Sequence, residues 1–407
     1  MKDLKYLYEF EKLLEDANNV LVQQARTEGR YAIGYTCFHM PEVLLNLEGC
    51  FSVRLRAPRT GSMDIATYYM SNATCEYSRA LLERAMEGGY RFLDALAGVD
   101  ACECMNRCME NIELLKTCEA DEHFFYVNLD VPFSDDEDCV KHYCEQLRRK
   151  VLTPLQEKMG IDVSDAAIRR AVERHNELCR VMQAIGEYRK GENPTITGHE
   201  YHVLSLVSYC CPKDLILDKL KETLEELKTR EPDKKKDFRA KVVVVGSEID
   251  DPDLISLIEE SGARVVADRF CYGTVPGRTE IQLDPDQPAF EQVCRRYLRD
   301  SLCPRLNAPH KVRQRYDTAE QLYRDFHADG IIYEQMKFCT YWSYERALAS
   351  HVMWEEHGIP TLSIDRPYMS RTSGQLRTRV QAFIESLEIK RIKARQQQRT
   401  EKEAAGV

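Results

Sequence analysis

One segment constrains the fold of this 407-residue chain more than any other: KVVVVGSEIDDPDLISLIEESGARVVADRF, at residues 241–270. Its four consecutive valines predict a buried strand, and Gly246 predicts a turn directly after that strand. Pro252 suits the first turn of a helix and Gly262 its end, and RVVAD then predicts the next strand. A strand–helix–strand unit of about 30 residues joins two parallel strands through a crossover helix. The segment therefore predicts an α/β domain with a parallel sheet.

The same alternation of strands and helices occurs in the first third of the chain. Helical patterns there, the first of which begins at Pro41 and ends at Gly49, separate four strand-like stretches: YAIGY, FSVRL, FLDALAGV and HFFYVNLDVP. The sequence thus predicts an α/β fold with two doubly wound (Rossmann- or flavodoxin-like) parallel-sheet domains and a helical segment between and around them. The predicted division is an N-terminal helix at 1–30, a first α/β domain at 31–133, a helical segment and linker at 134–238, a second α/β domain at 239–388 and a charged tail at 389–407. The tail is low in apolar residues, which predicts a frayed helix or disorder.

Charge and cysteine content narrow the classes of function. The chain carries 57 Lys and Arg against 67 Asp and Glu, a net charge of −10, which argues against binding to nucleic acid or to an anionic membrane. No apolar run approaches the roughly 18 residues of a membrane-spanning helix, and the charged N-terminal segment lacks the features of a signal peptide. Sixteen cysteines in such a chain favour reduced thiols and metal ligands over disulfides, and hence a cytoplasmic protein.

The Rossmann-like pattern comes without a motif for a nucleotide phosphate. The turn after the valine strand reads GSEIDD, which lacks the G-x-G-x-x-G spacing and puts acids where phosphates would lie. The sequence also contains no G-x-x-x-x-G-K-[ST] loop. The pattern therefore indicates a fold and not a bound dinucleotide.

Three cysteines stand out because each comes directly before a predicted helix: Cys75, Cys102 and Cys339. In a doubly wound sheet, ligands bind outside the carboxyl ends of the strands, where helix N-termini also favour thiolates. Three thiolates that meet across a cleft between two domains would suit a [4Fe–4S] cluster with one iron open to substrate. The alternative is that they are helix-start cysteines without metal. Cys104 and Cys108 are four apart on the helix after Cys102, and we expect them to share a face and pack.

Five segments in the same order resemble the 2-hydroxyacyl-CoA dehydratase / benzoyl-CoA reductase family, over about residues 30–387: IGYTCFHMPEVLLNLEG, FLDALAGVDACECMNRCMEN, VVVVGSEIDDPDLISLIEESGARVVADRFCYG, GIIYEQMKFCTYWSYERAL and GIPTLSIDRPYMSRTSGQLRTRVQAF. The specific motifs are DGxxYxxxKFC at residues 329–339 and GQLRTRxxAF at residues 374–383. Within the family, the chain resembles the iron–sulfur subunits known as D-components. The helical middle also resembles the family's insert between its two α/β domains.

The resemblance implies a [4Fe–4S] cluster held by three cysteines in the cleft between the domains. The family's ligand motifs fall on Cys75, on Cys102 with Glu103 and Arg107, and on Cys339 with Lys337 and Phe338. These are the cysteines that their positions before helices had already selected.

The resemblance also implies a reaction and its partners. An acyl-CoA substrate would bind at the open iron, and a separate ATP-dependent iron–sulfur activator protein would supply one electron. The reaction would be the radical (ketyl) dehydration of a 2-hydroxyacyl-CoA to an enoyl-CoA, or a related low-potential acyl-CoA reduction. A homologous subunit, identical or not, is expected as the partner in a dimer. Four cations could face the CoA phosphates or form surface or interdomain ion pairs instead: Arg107, Lys337, Arg377 and Arg379.

Two alternatives stay open. Related proteins carry an [8Fe–9S] double-cubane cluster on about six cysteines, which the cysteine content would allow. This interpretation ranks second, on the expectation that the chain lacks the additional Cys-Pro segments of that branch. Other subunits of the family only relay electrons or complete the fold of a partner. The sequence leaves the acyl chain open, as well as the roles of Cys37, Cys104, Cys108 and Cys271.

Overall fold

The computed structural model describes residues 1–58, 60–119, 123–234, 236–368 and 374–404. Two four-stranded sheets are formed by these residues, with all neighbouring strands parallel. The strands are β1 (Tyr31–Tyr35), β2 (Cys50–Arg54), β3 (Ala95–Asp100) and β4 (Phe125–Asp130) in the first sheet, and β5 (Ala240–Val245), β6 (Ala263–Arg269), β7 (Gly330–Met336) and β8 (Thr361–Arg366) in the second. The orders β2-β1-β3-β4 and β6-β5-β7-β8 are the same, so the prediction of two doubly wound parallel sheets is confirmed.

Helices surround both sheets, and several lie between them in the chain. The α-helices are α1 (Leu7–Leu13), α2 (Val20–Thr27), α3 (Glu76–Met86), α4 (Glu103–Leu114), α5 (Glu137–Leu147), α6 (Thr153–Met159), α7 (Asp165–Glu187), α8 (Gly198–Cys210), α9 (Lys213–Thr229), α10 (Asp253–Glu260), α11 (Ala289–Arg299), α12 (Pro309–Asp325), α13 (Thr340–Glu355) and α14 (Gly374–Ala404). Short 3₁₀ helices occur at Glu42–Leu45 and Ala66–Tyr68, and a π-helical turn at Arg148–Leu152 joins α5 to α6. None of the described helices is long and apolar enough to cross a bilayer.

Helix α8 connects the two sheets through a shared core. Its residues are buried on nearly every side, because the segment HVLSLVSYC is apolar around the whole helix. The Thr197 side chain accepts a hydrogen bond from the backbone N–H of Glu200, and the Glu200 side chain accepts one from the backbone N–H of Thr197. This capping box fixes where the helix begins. Val244 of β5 packs into the same core as α8, whereas Val243 faces a separate core on the other side of the sheet. The valine run is thus buried on both faces, as expected for a parallel strand.

Several local predictions differ from the structure. The predicted N-terminal helix at 1–30 is two helices, because the Asn19 side chain accepts the N–H groups that begin α2. The helix predicted between Pro41 and Gly49 is a single 3₁₀ turn at Glu42–Leu45. The charged tail, expected to fray or be disordered, continues α14 as far as Ala404, while residues 405–407 and residues 369–373 of the quoted family segment lie outside the described residues.

Candidate functional site

Cys75, Cys102 and Cys339 occupy the same local position in three parts of the fold. Each is the residue directly before a helix: Cys75 before α3, Cys102 before α4 and Cys339 before α13. The first N–H groups of a helix have no partner within the helix, and the helix dipole places partial positive charge there. Each of the three cysteines therefore lies at the N-terminus of a helix, where the partial positive charge favours a thiolate.

One cavity brings the three cysteines together, where the carboxyl edges of the two sheets meet. It has a volume of about 90 Å³. Its wall includes Cys37 after β1, Cys102 after β3, Glu248 after β5 and Cys339 after β7. The strand order reverses between β1 and β3 and between β5 and β7, so the cavity lies at the switch point of both sheets. The fold thus brings Cys75, Cys102 and Cys339 to one cavity, as the sequence predicts. Their role as ligands stays a prediction.

Cys104 is part of this cavity, which the packing interpretation did not anticipate. It lines the cavity, and its sulfur accepts a hydrogen bond from the backbone N–H of Cys75 at 3.5 Å. A hydrogen bond from the Cys102 thiol lowers the pKa of Cys104 to about 6. Cys108, one turn further along α4, is fully buried in the core and packs as expected. Cys104 packs against the same core, as expected, and differs from Cys108 in that it also lines the cavity.

A second group of cysteines lines the same cavity: Cys37, Cys271 and Cys303. These three also line an adjoining cavity of about 50 Å³. Reasoning from sequence left Cys37 and Cys271 without roles and missed Cys303 altogether. A signal was present, because Cys303 is followed by Pro304, and a second Cys-Pro step occurs at residues 211–212. The expectation that the chain lacks Cys-Pro segments was therefore wrong.

The donor set fits an iron–sulfur cluster better than a single metal ion. Among the described residues, no three His, Cys, Asp or Glu side chains are grouped so that they could hold one ion. A cluster spreads its thiolates over several irons, so more widely spaced cysteines suit it. Burial raises the pKa of Cys75 and of Cys37 to about 12 and that of Cys339 well above its usual range. A bound cation is the group that would make such buried thiols ionise.

The loop after β5 is held rigidly at the cavity. The backbone N–H and the hydroxyl of Ser247 each donate to Glu334 Oε2 at 2.9 Å. Arg366 Nε donates to the other oxygen of Glu334 at 2.9 Å, and its Nη2 donates to the Glu248 carbonyl at 2.8 Å. The Glu248 carboxylate lies in the cavity wall, 3.5 Å from a guanidinium nitrogen of Arg54. Burial raises the pKa of Glu248 to about 7, and Arg54 opposes that effect.

The four candidate cations do not line the cysteine cavity. Arg107 and Arg377 form exposed ion pairs with glutamates at 3.3 and 2.7 Å, which is the alternative that the sequence left open. Arg379 donates to a backbone carbonyl at 2.5 Å on the surface. The Lys337 ammonium lies 5.4 Å from the ring centroid of its neighbour Phe338. Any contact of these residues with a substrate would thus occur outside the cavity.

The sequence matches one protein family over most of its length. The family model described as 2-hydroxyglutaryl-CoA dehydratase, D-component, matches residues 37–387. The (R)-phenyllactyl-CoA dehydratase beta subunit of Clostridium sporogenes is 25% identical over 94% of this chain and 99% of its own length. The (R)-2-hydroxyglutaryl-CoA dehydratase beta subunit of Acidaminococcus fermentans is 23% identical, over 93% of this chain and 98% of its own. One of the benzoyl-CoA reductase subunits of Thauera aromatica is 20% identical, over 93% and 97%.

Proposed function

The chain belongs to the 2-hydroxyglutaryl-CoA dehydratase D-component family, and on this premise we propose that it is the iron–sulfur subunit of an enzyme that dehydrates a 2-hydroxyacyl-CoA. The product would be an enoyl-CoA, formed through one-electron chemistry. A low-potential reduction of a related acyl-CoA is the variant suggested by the name of the Thauera relative. The observation that carries the proposal is the cavity at which three helix-start cysteines from both sheets converge.

Cys75, Cys102 and Cys339 would hold a [4Fe–4S] cluster. Such a cluster, when bound, would supply a Lewis-acidic iron and a single electron to the substrate thioester. The chain itself contributes the N-termini of α3, α4 and α13, whose partial positive charge offsets the charge of the thiolates. It also contributes apolar wall residues such as Met105 and Trp342, which limit the access of water.

A partner subunit is part of the proposal. All three relatives named above are subunits of larger enzymes, as their names state. The cavity of about 90 Å³ is much smaller than the roughly 300–1,000 Å³ that usual ligand pockets provide. The acyl-CoA would therefore extend beyond this cavity, toward the surface and a homologous subunit. An ATP-dependent iron–sulfur activator protein would deliver the electron.

A double-cubane [8Fe–9S] cluster is the second candidate, and one observation favours it. Cys37, Cys271 and Cys303 line the same cavity as the first three cysteines, which makes six thiols available beside Cys104. The chain would then reduce a substrate or relay electrons instead of dehydrating an acyl-CoA. The two candidates differ in how many cysteines hold iron, and not in where the iron lies.

An anaerobic activity assay tests the proposed reaction. The purified chain is combined with the homologous subunit and the activator that are encoded by neighbouring genes, together with ATP and a reductant. The substrate is (R)-phenyllactyl-CoA or (R)-2-hydroxyglutaryl-CoA. We expect enoyl-CoA formation that requires ATP and is lost in Cys102→Ala. Cys139→Ala is the matched control, because Cys139 is a half-buried cysteine on α5 away from the cavity. A cluster whose EPR spectrum responds to no acyl-CoA would instead identify a relay subunit.

A further inference from the structure

Two cysteines outside the cavity face each other across a pair of helices. Cys144 lies on α5 and Cys294 on α11, 150 positions apart in the sequence (294 − 144). Cys294 belongs to a cluster of buried side chains, and Cys144 packs against the same cluster where α5 and α11 are in contact. Neither residue lines the cysteine cavity, and neither has a part in the proposed function.

Contacts on both sides of the pair fix the register of the two helices. At one end, Glu137 of α5 accepts hydrogen bonds from Arg295 and Arg299 of α11, the latter at 2.5 Å. At the other end, the Arg148 guanidinium lies 4.6 Å from the ring centroid of Phe290. The helices therefore run antiparallel, with the two thiols between these anchors. This register places Cys144 and Cys294 at the same level of the two packed helices.

The two thiols differ in access and in acidity. Cys144 is half-buried, whereas Cys294 is fully buried in the core beneath it. The hydrogen bond from Cys294 lowers the pKa of Cys144; partial burial and Glu291 oppose this effect, and Arg295 and Arg148 reinforce it. Burial raises the pKa of Cys294, so it stays protonated as the donor. A half-buried thiol of lowered pKa next to a buried thiol is the arrangement of an attacking and a resolving cysteine.

We propose that Cys144 and Cys294 are a reversible oxidation site, at which hydrogen peroxide closes a disulfide between α5 and α11. The Cys144 thiolate attacks one oxygen of the peroxide, whose O–O bond breaks, and gives a sulfenic acid while the peroxide is reduced to water. The Cys294 sulfur then attacks the Cys144 sulfur, forms the S–S bond and releases a second water. The two thiols together lose two electrons and two protons, and a dithiol such as dithiothreitol returns them.

The position of α11 links this site to the cysteine cavity. The helix ends at Arg299, and the chain then passes directly through Ser301 and Leu302 to Cys303 in the cavity wall. A disulfide would tie α11, and with it the start of this segment, to α5. Peroxide in the surroundings would thus change the constraint on one wall of the proposed cluster site.

Peptide mapping of the full-length chain tests the proposal. The anaerobic, reduced protein is treated with one equivalent of hydrogen peroxide, alkylated and digested without reduction. We expect a peptide that joins Cys144 to Cys294, that dithiothreitol reverses, and whose formation is about tenfold faster than oxidation of the half-buried Cys139 on the same helix. Cys144→Ser should abolish the cross-link and Cys139→Ser should leave it unchanged.

The wild-type map alone decides the outcome, even if a variant fails to fold. Cys144 that stays fully alkylatable while Cys139 is oxidised would overturn the proposal. So would oxidation of Cys144 to a sulfinic acid with Cys294 unmodified, since Cys294 would then not act as the resolving thiol.

Discussion

The backbone N–H of Glu76 donates a hydrogen bond to the carbonyl of Lys337 across 3.4 Å. This bond joins the two α/β halves directly beside two cavity cysteines, because Cys75 precedes Glu76 and Cys339 follows Lys337 by two residues. The Glu76 carboxylate also accepts the N–H of Tyr368 at 2.7 Å. These two hydrogen bonds fix the relative placement of Cys75 and Cys339.

Replacing any one of the three predicted ligands should release iron. We expect Cys75→Ala, Cys102→Ala and Cys339→Ala to retain little of the iron of the wild-type chain, since each removes one of only three protein ligands. Cys139→Ala, away from the cavity, should keep the full content. Iron is measured per chain after anaerobic purification, with circular dichroism to verify folding. Full iron content in Cys102→Ala would contradict the ligand assignment.

The second group of cysteines separates the two cluster types. If the chain holds a [4Fe–4S] cluster, Cys37→Ala and Cys303→Ala should leave the iron content unchanged. If it holds a double cubane, each substitution should remove about half of the iron or more, because these residues would hold the second cubane. The measurement is iron and sulfide content together with the low-temperature EPR spectrum of the reduced protein.

A buried ion pair between the two halves should dominate the stability of their contact. Glu42, beside the first sheet, accepts from Arg278 at 3.1 Å, and Arg278 is fully buried. Glu42→Gln leaves that guanidinium without its counter-charge and should lower the free energy of unfolding by about 3–5 kcal/mol. The exposed pair of Glu260 with Arg377 is the control, and Glu260→Gln should change it by less than about 1 kcal/mol. Urea unfolding measures both, and equal effects would contradict the account.

A buried neutral histidine should make stability depend on pH. His202 Nε2 donates to the Ile249 carbonyl at 3.1 Å, and burial lowers the pKa of His202 to about 4. An unfolded chain titrates its histidines near 6.5, so below that pH the unfolded state binds a proton that the folded state does not. The free energy of unfolding should therefore fall as the pH falls from about 6.5 to 5, by about 2 kcal/mol for this residue.

The variant His202→Gln isolates that contribution. Glutamine keeps a hydrogen-bond donor but does not titrate, so the pH slope of the urea midpoint should become shallower. His351→Gln, at an exposed position on α13, should leave the slope unchanged. The same slope in His202→Gln and in the wild type would show that the buried imidazole does not control it.

The sequence predicted best those features that local chemistry determines. The unit β5–α10–β6 follows closely from its valine run, Pro252 and Gly262, because strand burial, helix start and helix end each have a residue signal. Cys102 and Cys339 could be selected for the same reason, since each follows a strand and begins a helix. The long sequence distance between Cys102 and Cys339 was no obstacle, because the fold brings the carboxyl ends of β3 and β7 to the same cavity.

Features that depend on packing between distant segments could not be predicted from the sequence. Cys303 lies in a loop, and only the fold shows that this loop reaches the cavity. Cys144 and Cys294 are ordinary helix residues until α5 and α11 pack side by side. Cys104 packs against the same core as Cys108, but only the fold shows that its sulfur also contacts the backbone of Cys75, at a different helix start.

The iron and acid-labile sulfide content of the wild-type chain tests the central claim most directly. The protein is purified anaerobically and reconstituted with iron and sulfide, and both elements are counted per chain alongside the EPR spectrum. A cluster held by Cys75, Cys102 and Cys339 predicts about four irons and four sulfides per chain. A colourless chain that binds no iron under these conditions would contradict the claim.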